Sequence, residues 1–242
     1  MAVLILAGCA SRNRSGELSG AAFYFNLGKE NMDKKNYVAA QANFQTIVDS
    51  YSGSELIDAA QFMLAEAHYM NEDYVVGAYE YEQVYRSYPS SIYAEEAMFK
   101  RAVCYFHESP KPTLDQENTL MSIEDFNQFI DTYPYSLFVD EAQEYIDELR
   151  AKLAEKEFRN AETYVKLKKY ESAVIYYRMV IEEYPRTPWA NEARYGIGEV
   201  YLKQNQFEKA REQFQILVNG IVKPDLKERA RKRLTYLENR AN

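Results

Sequence analysis

The sequence predicts an all-α fold, an α-solenoid of five helix-turn-helix repeats closed by a C-terminal capping helix. Two observations predict it. One is a recurring phrase, a tyrosine-proline pair followed after a short gap by an acidic-alanine helix start. It reads Tyr88-Pro89-Ser90-Ser91 before Glu96-Ala97, Tyr133-Pro134-Tyr135-Ser136 before Glu141-Ala142, and Tyr184-Pro185-Arg186-Thr187 before Glu192-Ala193. A weaker copy, Tyr51-Ser52-Gly53-Ser54, precedes Ala59-Ala60. The other observation is a set of small and aromatic residues at helical spacing between those phrases. Repetition of this kind builds extended binding surfaces rather than catalytic pockets, because each unit buries its apolar face against its neighbours.

Composition bounds the rest. The 242 residues suit one large domain or two small ones. A hydrophobic fraction of 47%, with 14% aromatic residues, is enough apolar surface to offset the entropy of ordering. Only 9 Gly and 7 Pro leave little room for long linkers. The net charge of −8 argues against nucleic acid as a partner, since a binder needs a basic stripe to replace phosphate counterions. No basic cluster is strong enough to hold an anionic membrane surface.

At the N-terminus, Leu6-Ala7-Gly8-Cys9 matches the lipobox at which a signal peptidase cuts before a cysteine carrying a diacylglycerol. The apolar run before it is far shorter than the roughly 20 residues of a membrane-spanning helix. Residues 1–8 are read as a lipoprotein signal remnant lacking the usual basic start. Residues 9–21 are read as a flexible tether, lipidated at Cys9. The second cysteine, Cys104, falls in an apolar helical stretch and reads as a small buried hydrophobe.

Repeats 1–3 are expected over 22–134, and repeats 4–5 with the capping helix over 135–242. Each first helix carries a small residue where it must approach its partner: Gly28, Ala65, Ala102, Ala161 and Gly198. Each second helix carries another small residue, at Ala40, Gly77, Ser122, Ala173 and Ala210. Four residues later comes an aromatic, Phe44, Tyr81, Phe126, Tyr177 or Phe214, and three further an apolar residue, Ile47, Val84, Phe129, Val180 or Leu217. This spacing sets the three on one helix face. The Tyr-Pro pair stops the second helix, because proline disfavours helical geometry in the residue before it. Thr187 with Pro188 reads as an N-cap followed by the first helical position.

Two irregularities interrupt the register. An insertion from about His107 to Leu120 contains Pro110 and Pro112, which exclude a helix interior and predict an exposed loop. The stretch from Leu137 to Lys166 has no breaker and predicts one long helix into the fourth repeat. Pro224 to Arg240 is basic and amphipathic, as a cap on an open array must be.

Five units in one register resemble the tetratricopeptide family from residue 22 to about 222. That resemblance implies a concave groove lined by first helices, where Phe25, Phe62, Phe99, Phe158 and Tyr195 recur at one position. Lys29, Glu66, Val103, Glu162 and Glu199 follow one turn along, then Met32, Tyr69, Phe106, Val165 and Leu202. Packing alone also explains the aromatics. As a groove, Phe25, Lys29, Phe62, Glu66, Tyr69 and Phe99 would hold an extended or helical peptide, with Lys29 meeting an acidic group or carboxyl terminus.

No arrangement points to catalysis. His68 and His107 lack the cysteine partners of a zinc site, and His68 reads as a satisfied core histidine. No glycine-rich loop follows a strand, and no nucleophile stands beside a base. Neither a cofactor nor a metal is expected, and the chain is read as a non-enzyme.

The order of the irregularities, with the lipobox in front, is similar to the BamD family of outer-membrane lipoproteins. Asp115-Gln116, Asp125-Phe126, Tyr133-Pro134-Tyr135-Ser136, Leu149-Arg150-Ala151-Lys152-Leu153-Ala154, Glu162 and Tyr164 carry that likeness. It implies a scaffold of the β-barrel assembly machinery, lipid-anchored in the outer membrane and facing the periplasm. Its N-terminal repeats would receive the targeting peptides of unfolded outer-membrane proteins. Its C-terminal repeats would contact BamA, with Arg186, Trp189, Arg194 and Gln204 as candidates, and other Bam subunits would attach. Another envelope lipoprotein scaffold, serving pilus secretin assembly or cell-wall coordination, is the alternative.

Overall fold

Successive helices pack as antiparallel hairpins because each second helix buries its aromatic against the small residue of its partner. This computed structural model describes the backbone from Arg14 to Ala241 and side-chain environments from Gly20 to Arg240. Cys9 and the signal remnant lie outside the described residues. The helices are α1 (Arg14–Asp33), α2 (Tyr37–Ser50), α3 (Ile57–Met70), α4 (Tyr74–Ser87), α5 (Ala94–Glu108) and α6 (Glu117–Thr132). They continue as α7 (Val139–Lys166), α8 (Tyr170–Glu183), α9 (Pro188–Lys203), α10 (Phe207–Asn219) and α11 (Pro224–Ala241). No strand occurs among the described residues. Helix α1 already runs from Arg14, so the later part of the expected tether is helical: Glu17, Leu18, Ala21 and Ala22 favour a helix and no proline intervenes.

The chain forms two compact units. Unit one is the described chain up to Glu108 with Glu124–Val139; unit two is Ser109–Ile123 with the chain from Asp140 onward. This differs from a division at 134/135, because the insertion joins unit two. The reason is local: Lys152 of α7 donates to Ser109 Oγ at 2.8 Å, and Lys156 donates to the Leu114 carbonyl at 3.2 Å. The insertion is less exposed than its prolines suggest. Gln116 is buried and donates to the carbonyls of Lys111 and Leu114, and buried Thr119 shares a hydrogen bond with Ser109.

In both units the core follows the repeat pattern. Phe44, Tyr81, Phe126, Tyr177 and Phe214 are buried, as are Ile47, Val84, Phe129, Val180 and Leu217 three residues on. Gly28 and Gly198 have a steric reason: a Cβ at either would stand 2.6 Å from the ring of Phe44 or Phe214. Helix α11 caps unit two by burying Leu226, Ala230 and Leu237 on one face.

The repeated phrase is one turn built four times. The amide of its fourth residue bonds back to the tyrosine carbonyl: Ser54 to Tyr51, Ser91 to Tyr88, Ser136 to Tyr133 and Thr187 to Tyr184, at 2.8–3.1 Å. In three copies the serine Oγ then accepts from the amide two residues on, of Leu56, Tyr93 or Phe138. Thr187 behaves differently. Its hydroxyl donates to the Tyr184 carbonyl at 2.9 Å and makes no cap hydrogen bond to α9, whose start rests on Pro188.

The opposite connections share another device. Lys35, Glu72, Lys168 and Asn205 have φ of 56–63°. Beyond each, an amide reaches back five residues, Asn36 to Asn31, Asp73 to His68, Lys169 to Tyr164 and Gln206 to Tyr201, at 2.8–3.0 Å. These are left-handed helix closures made without glycine.

Candidate functional site

The first-helix face of unit one is set by α1, α3 and α5. Phe62 is only 6% exposed; its ring stacks on Tyr93 at 4.8 Å and meets Tyr81 edge-on at 5.8 Å. Phe99 is 5% exposed, stacked on Phe138 at 4.8 Å with Phe126 at 5.7 Å. These two expected groove residues are therefore packing joints. Each is clamped between the second-helix aromatic of its own repeat and the aromatic that opens the next. Phe25 is half-buried, edge-on to Phe44 at 5.7 Å.

One turn along, the face becomes polar and accessible. Lys29 is exposed. Glu66 accepts hydrogen bonds from the buried Tyr81 hydroxyl and from Lys100 of α5. The Lys100 ammonium stands 5.6 Å from the Tyr69 ring centroid and 5.8 Å from that of Phe62. Tyr69 and His107 share a hydrogen bond at 3.0 Å, and His107 stacks on Tyr74 at 4.5 Å. Burial in that stack lowers the His107 pKa, favouring the neutral imidazole. Lys100 and His107 were not expected at the site. Lys100 has a periodic signal, since it follows Glu66 by the same 34 residues that separate Glu199 and Arg233.

In unit two the candidates scatter. Arg186 is exposed and lines a cleft of about 720 Å³ with Leu120, Arg150, Glu182 and Tyr184. Trp189 packs on Phe158 at 5.0 Å, repeating the joint of unit one, and so offers less open surface than expected. Arg194 reaches Gln213 at 3.5 Å, and Gln204 closes α9 beside Lys168 and Tyr170. Arg229 and Arg233 of α11 pair with Glu192 and Glu199 of α9, and Arg229 lies 4.3 Å over the Tyr195 ring.

Reactive groups are held inert. Cys104 is buried and its thiol is pushed up to about 12 by desolvation, with Glu66 adding to the shift. His68 is partly buried, but its Nδ1 makes no hydrogen bond and lies 3.6 Å from Asp73, so it is not the satisfied core histidine expected. Among the described residues no group of three His, Cys, Asp or Glu side chains could hold a metal ion. None of the described helices is long and apolar enough to cross a membrane.

Paired helices closed by left-handed caps, small-to-aromatic joints and a Tyr-Pro turn between repeats define a tetratricopeptide-repeat protein. The chain belongs to the YfiO family of outer membrane lipoproteins, whose profile it matches over residues 19–216. It is 25% identical over 210 residues to the outer membrane protein assembly factor BamD of Caulobacter vibrioides, covering 85% of this chain and 69% of that one. It is 26% identical over 215 residues to BamD of Rickettsia prowazekii, covering 88% and 86%. A thermophilic TPR protein of Thermus thermophilus is similar at 14% identity and a TM-score of 0.37, over 89% of this chain and 99% of that one.

Proposed function

We propose that this chain is a non-enzymatic scaffold of outer-membrane β-barrel protein assembly, lipid-anchored through Cys9 and facing the periplasm. The observation that carries this reading is the family match, which spans repeats of both units from residue 19 to 216. The first-helix face of unit one receives the targeting segment of an unfolded outer-membrane protein. Its accessible part, Lys29, Tyr69, His107 and the Glu66–Lys100 pair, suits an extended peptide: it offers cations for a terminal carboxylate, and ring faces with donors for side chains and backbone. Repeats 4–5 hold BamA, through exposed Arg186 just before α9, Arg194 within that helix and Gln204 at its end. Phe62 and Phe99 support the first-helix face of unit one as packing joints, and Trp189 is the corresponding joint in unit two.

A photoreactive residue at Lys29 or at Val75 on the second-helix face of α4, with a peptide copied from the C-terminal strand of an outer-membrane barrel, tests the groove. Crosslinking several-fold stronger at Lys29 is expected; equal yields overturn the peptide site. Purification from the native envelope tests the assembly role, and absence of a barrel-forming subunit from the isolate overturns it.

A further inference from the structure

Among the described residues the most exposed large apolar side chains are Ile92 at 85%, Tyr135 at 98%, Leu137 at 96% and Ile221 at 103%; every other is 63% exposed or less. All four sit in connections from the second helix of one repeat to the next helix. Three belong to unit one. Their connections, Tyr88-Pro89-Ser90-Ser91-Ile92-Tyr93 and Tyr133-Pro134-Tyr135-Ser136-Leu137-Phe138, contain no charged residue.

The turn geometry explains the exposure. Tyr93 and Phe138 fold inward onto Phe62 and Phe99, so the residue before each points away from the protein. Tyr135 occupies the corner after Pro134. Because the helices of unit one alternate in direction, the connections 51–56, 88–93 and 133–138 share one end with the start of α1. Tyr24 of α1 lies 6.1 Å from Tyr51, and Ser91 donates to Asp58 at the start of α3. The other end of unit one is polar, with exposed Lys34, Lys35, Asn71, Glu72 and Asp73.

We propose that this end of unit one is a membrane-contacting edge, at which Ile92, Tyr135 and Leu137, carried on its two connections without charge, enter the interfacial layer of a phospholipid bilayer. The inference rests on the lipoprotein reading, because Cys9 precedes Arg14, where the described part of α1 starts, by five positions. Five residues reach at most roughly 17 Å, so an acyl chain on Cys9 holds the start of α1, and the end of unit one it belongs to, close to the bilayer. Single apolar side chains on separate turn tips suit lipid better than a protein groove. Tyrosine with leucine or isoleucine is the composition that settles at a headgroup boundary. The contact is apolar rather than electrostatic. Glu95 and Glu96 open α5 just behind the Ile92 tip, so zwitterionic lipid is favoured over anionic lipid.

The test uses the full chain with Cys9→Ser and an N-terminal histidine tag on nickel-chelating lipid, in vesicles of phosphatidylethanolamine and phosphatidylcholine. This tether does not depend on acylation, and buried Cys104 stays unlabelled. An environment-sensitive fluorophore is placed at Ser90→Cys beside Ile92, or at Lys34→Cys at the opposite end. Emission at position 90 should rise severalfold, shift to the blue and be quenched by brominated lipid, while position 34 stays unchanged. Adding Ile92→Ser, Tyr135→Ser and Leu137→Ser should abolish the response at position 90 without lowering the melting temperature. Equal responses at the two positions overturn the edge, as does a probe at position 90 that stays in water; the latter assigns the tips to a protein partner. Mass spectrometry of the envelope form is read separately. An unmodified Cys9 overturns the lipoprotein reading, while the tethered vesicles still decide whether the edge meets lipid.

Discussion

Lys100 of one repeat and Tyr81 of the preceding one both donate to the same carboxylate, Glu66. The Glu66 and Lys100 side chains are 16% and 24% exposed, against 27% and 41% for Glu199 and Arg233, the pair at the same 34-residue interval in unit two. Water screens the second pair more, and Glu66→Gln also turns the charge-assisted hydrogen bond from the buried Tyr81 hydroxyl into one to a neutral acceptor. Glu66→Gln should therefore destabilise by about 1–2 kcal/mol, and Glu199→Gln by less than about 1 kcal/mol. Urea unfolding of both variants checks this; equal losses would show that burial does not set the difference.

Phe62→Ala is expected to act on stability first. It deletes a ring clamped between Tyr81 and Tyr93, for which large-to-small core changes cost about 3–5 kcal/mol. Half-buried Phe25, with one ring neighbour, should cost about half of that when changed to Ala. Lys29→Ala, at an exposed position, should leave the melting temperature unchanged while weakening a targeting peptide. A Phe62→Ala protein of normal stability would mean that the joint between repeats carries no load.

The residues that make repeats pack were legible because packing needs a fixed shape at a fixed interval. Gly28, Phe44 and Ile47 could be placed from spacing alone, and so could the long α7. Polar geometry was less legible. Thr187 fits an N-cap by type, but its hydroxyl is taken by the Tyr184 carbonyl, a local choice between acceptors that no spacing encodes. Phe62 and Phe99 share the interval of groove residues, yet are covered by Tyr93 and Phe138, which lie in the next repeat's entry turn. A residue's own register cannot announce what folds over it.

Glu72 and Lys168 hold φ of 63° and 58° without being glycine. A side chain in the left-handed region costs about 1–2 kcal/mol, part of which glycine would return through its larger unfolded-state entropy. Glu72→Gly and Lys168→Gly should each stabilise by about 0.5–1 kcal/mol, and Asn205→Gly by less, since asparagine tolerates this conformation. Thermal melts of the three variants measure the order. Destabilisation by Glu72→Gly would place the value of that residue in its side chain instead.

Asp125 gives unit one an unusual response to acid. Desolvation outweighs the attraction of Arg101 and raises its pKa from 3.8 to about 6, with Glu124 of its own helix and Glu82 of α4 adding to the rise. Arg101 donates to one Asp125 oxygen, while the other is buried without a partner. Tyr85 of α4 and Tyr105 of α5 also lie within the field of Arg101. Between pH 4 and 6 the folded chain thus binds this proton more tightly than the unfolded chain. The contribution of Asp125 to stability is therefore greatest below its unfolded value and is lost as pH rises through about 6. Asp125→Asn should flatten this component, worth on the order of 2 kcal/mol across the window, when unfolding free energies of the two proteins are subtracted pH by pH. A difference that grows in the opposite direction would mean that Arg101 dominates the carboxyl.

Gly28 and Gly53 separate steric need from conformational freedom. Neither has a positive φ. A Cβ on Gly28 would stand 2.6 Å from the Phe44 ring, and Phe44 is fully buried with no room to retreat. A Cβ on Gly53 would meet nothing within 4 Å. Gly28→Ala must push the first two helices of unit one apart or force the ring off its rotamer, at about 1–3 kcal/mol. Gly53→Ala relieves only unfolded-state entropy and should be neutral or stabilising by about 0.5 kcal/mol. Combining Gly28→Ala with Phe44→Leu removes the ring that the new methyl meets. The double variant should then be less destabilised than the sum of the two single changes, a deficit that a double-mutant cycle reads directly. Simple additivity would show that the methyl is accommodated by helix displacement rather than by Phe44.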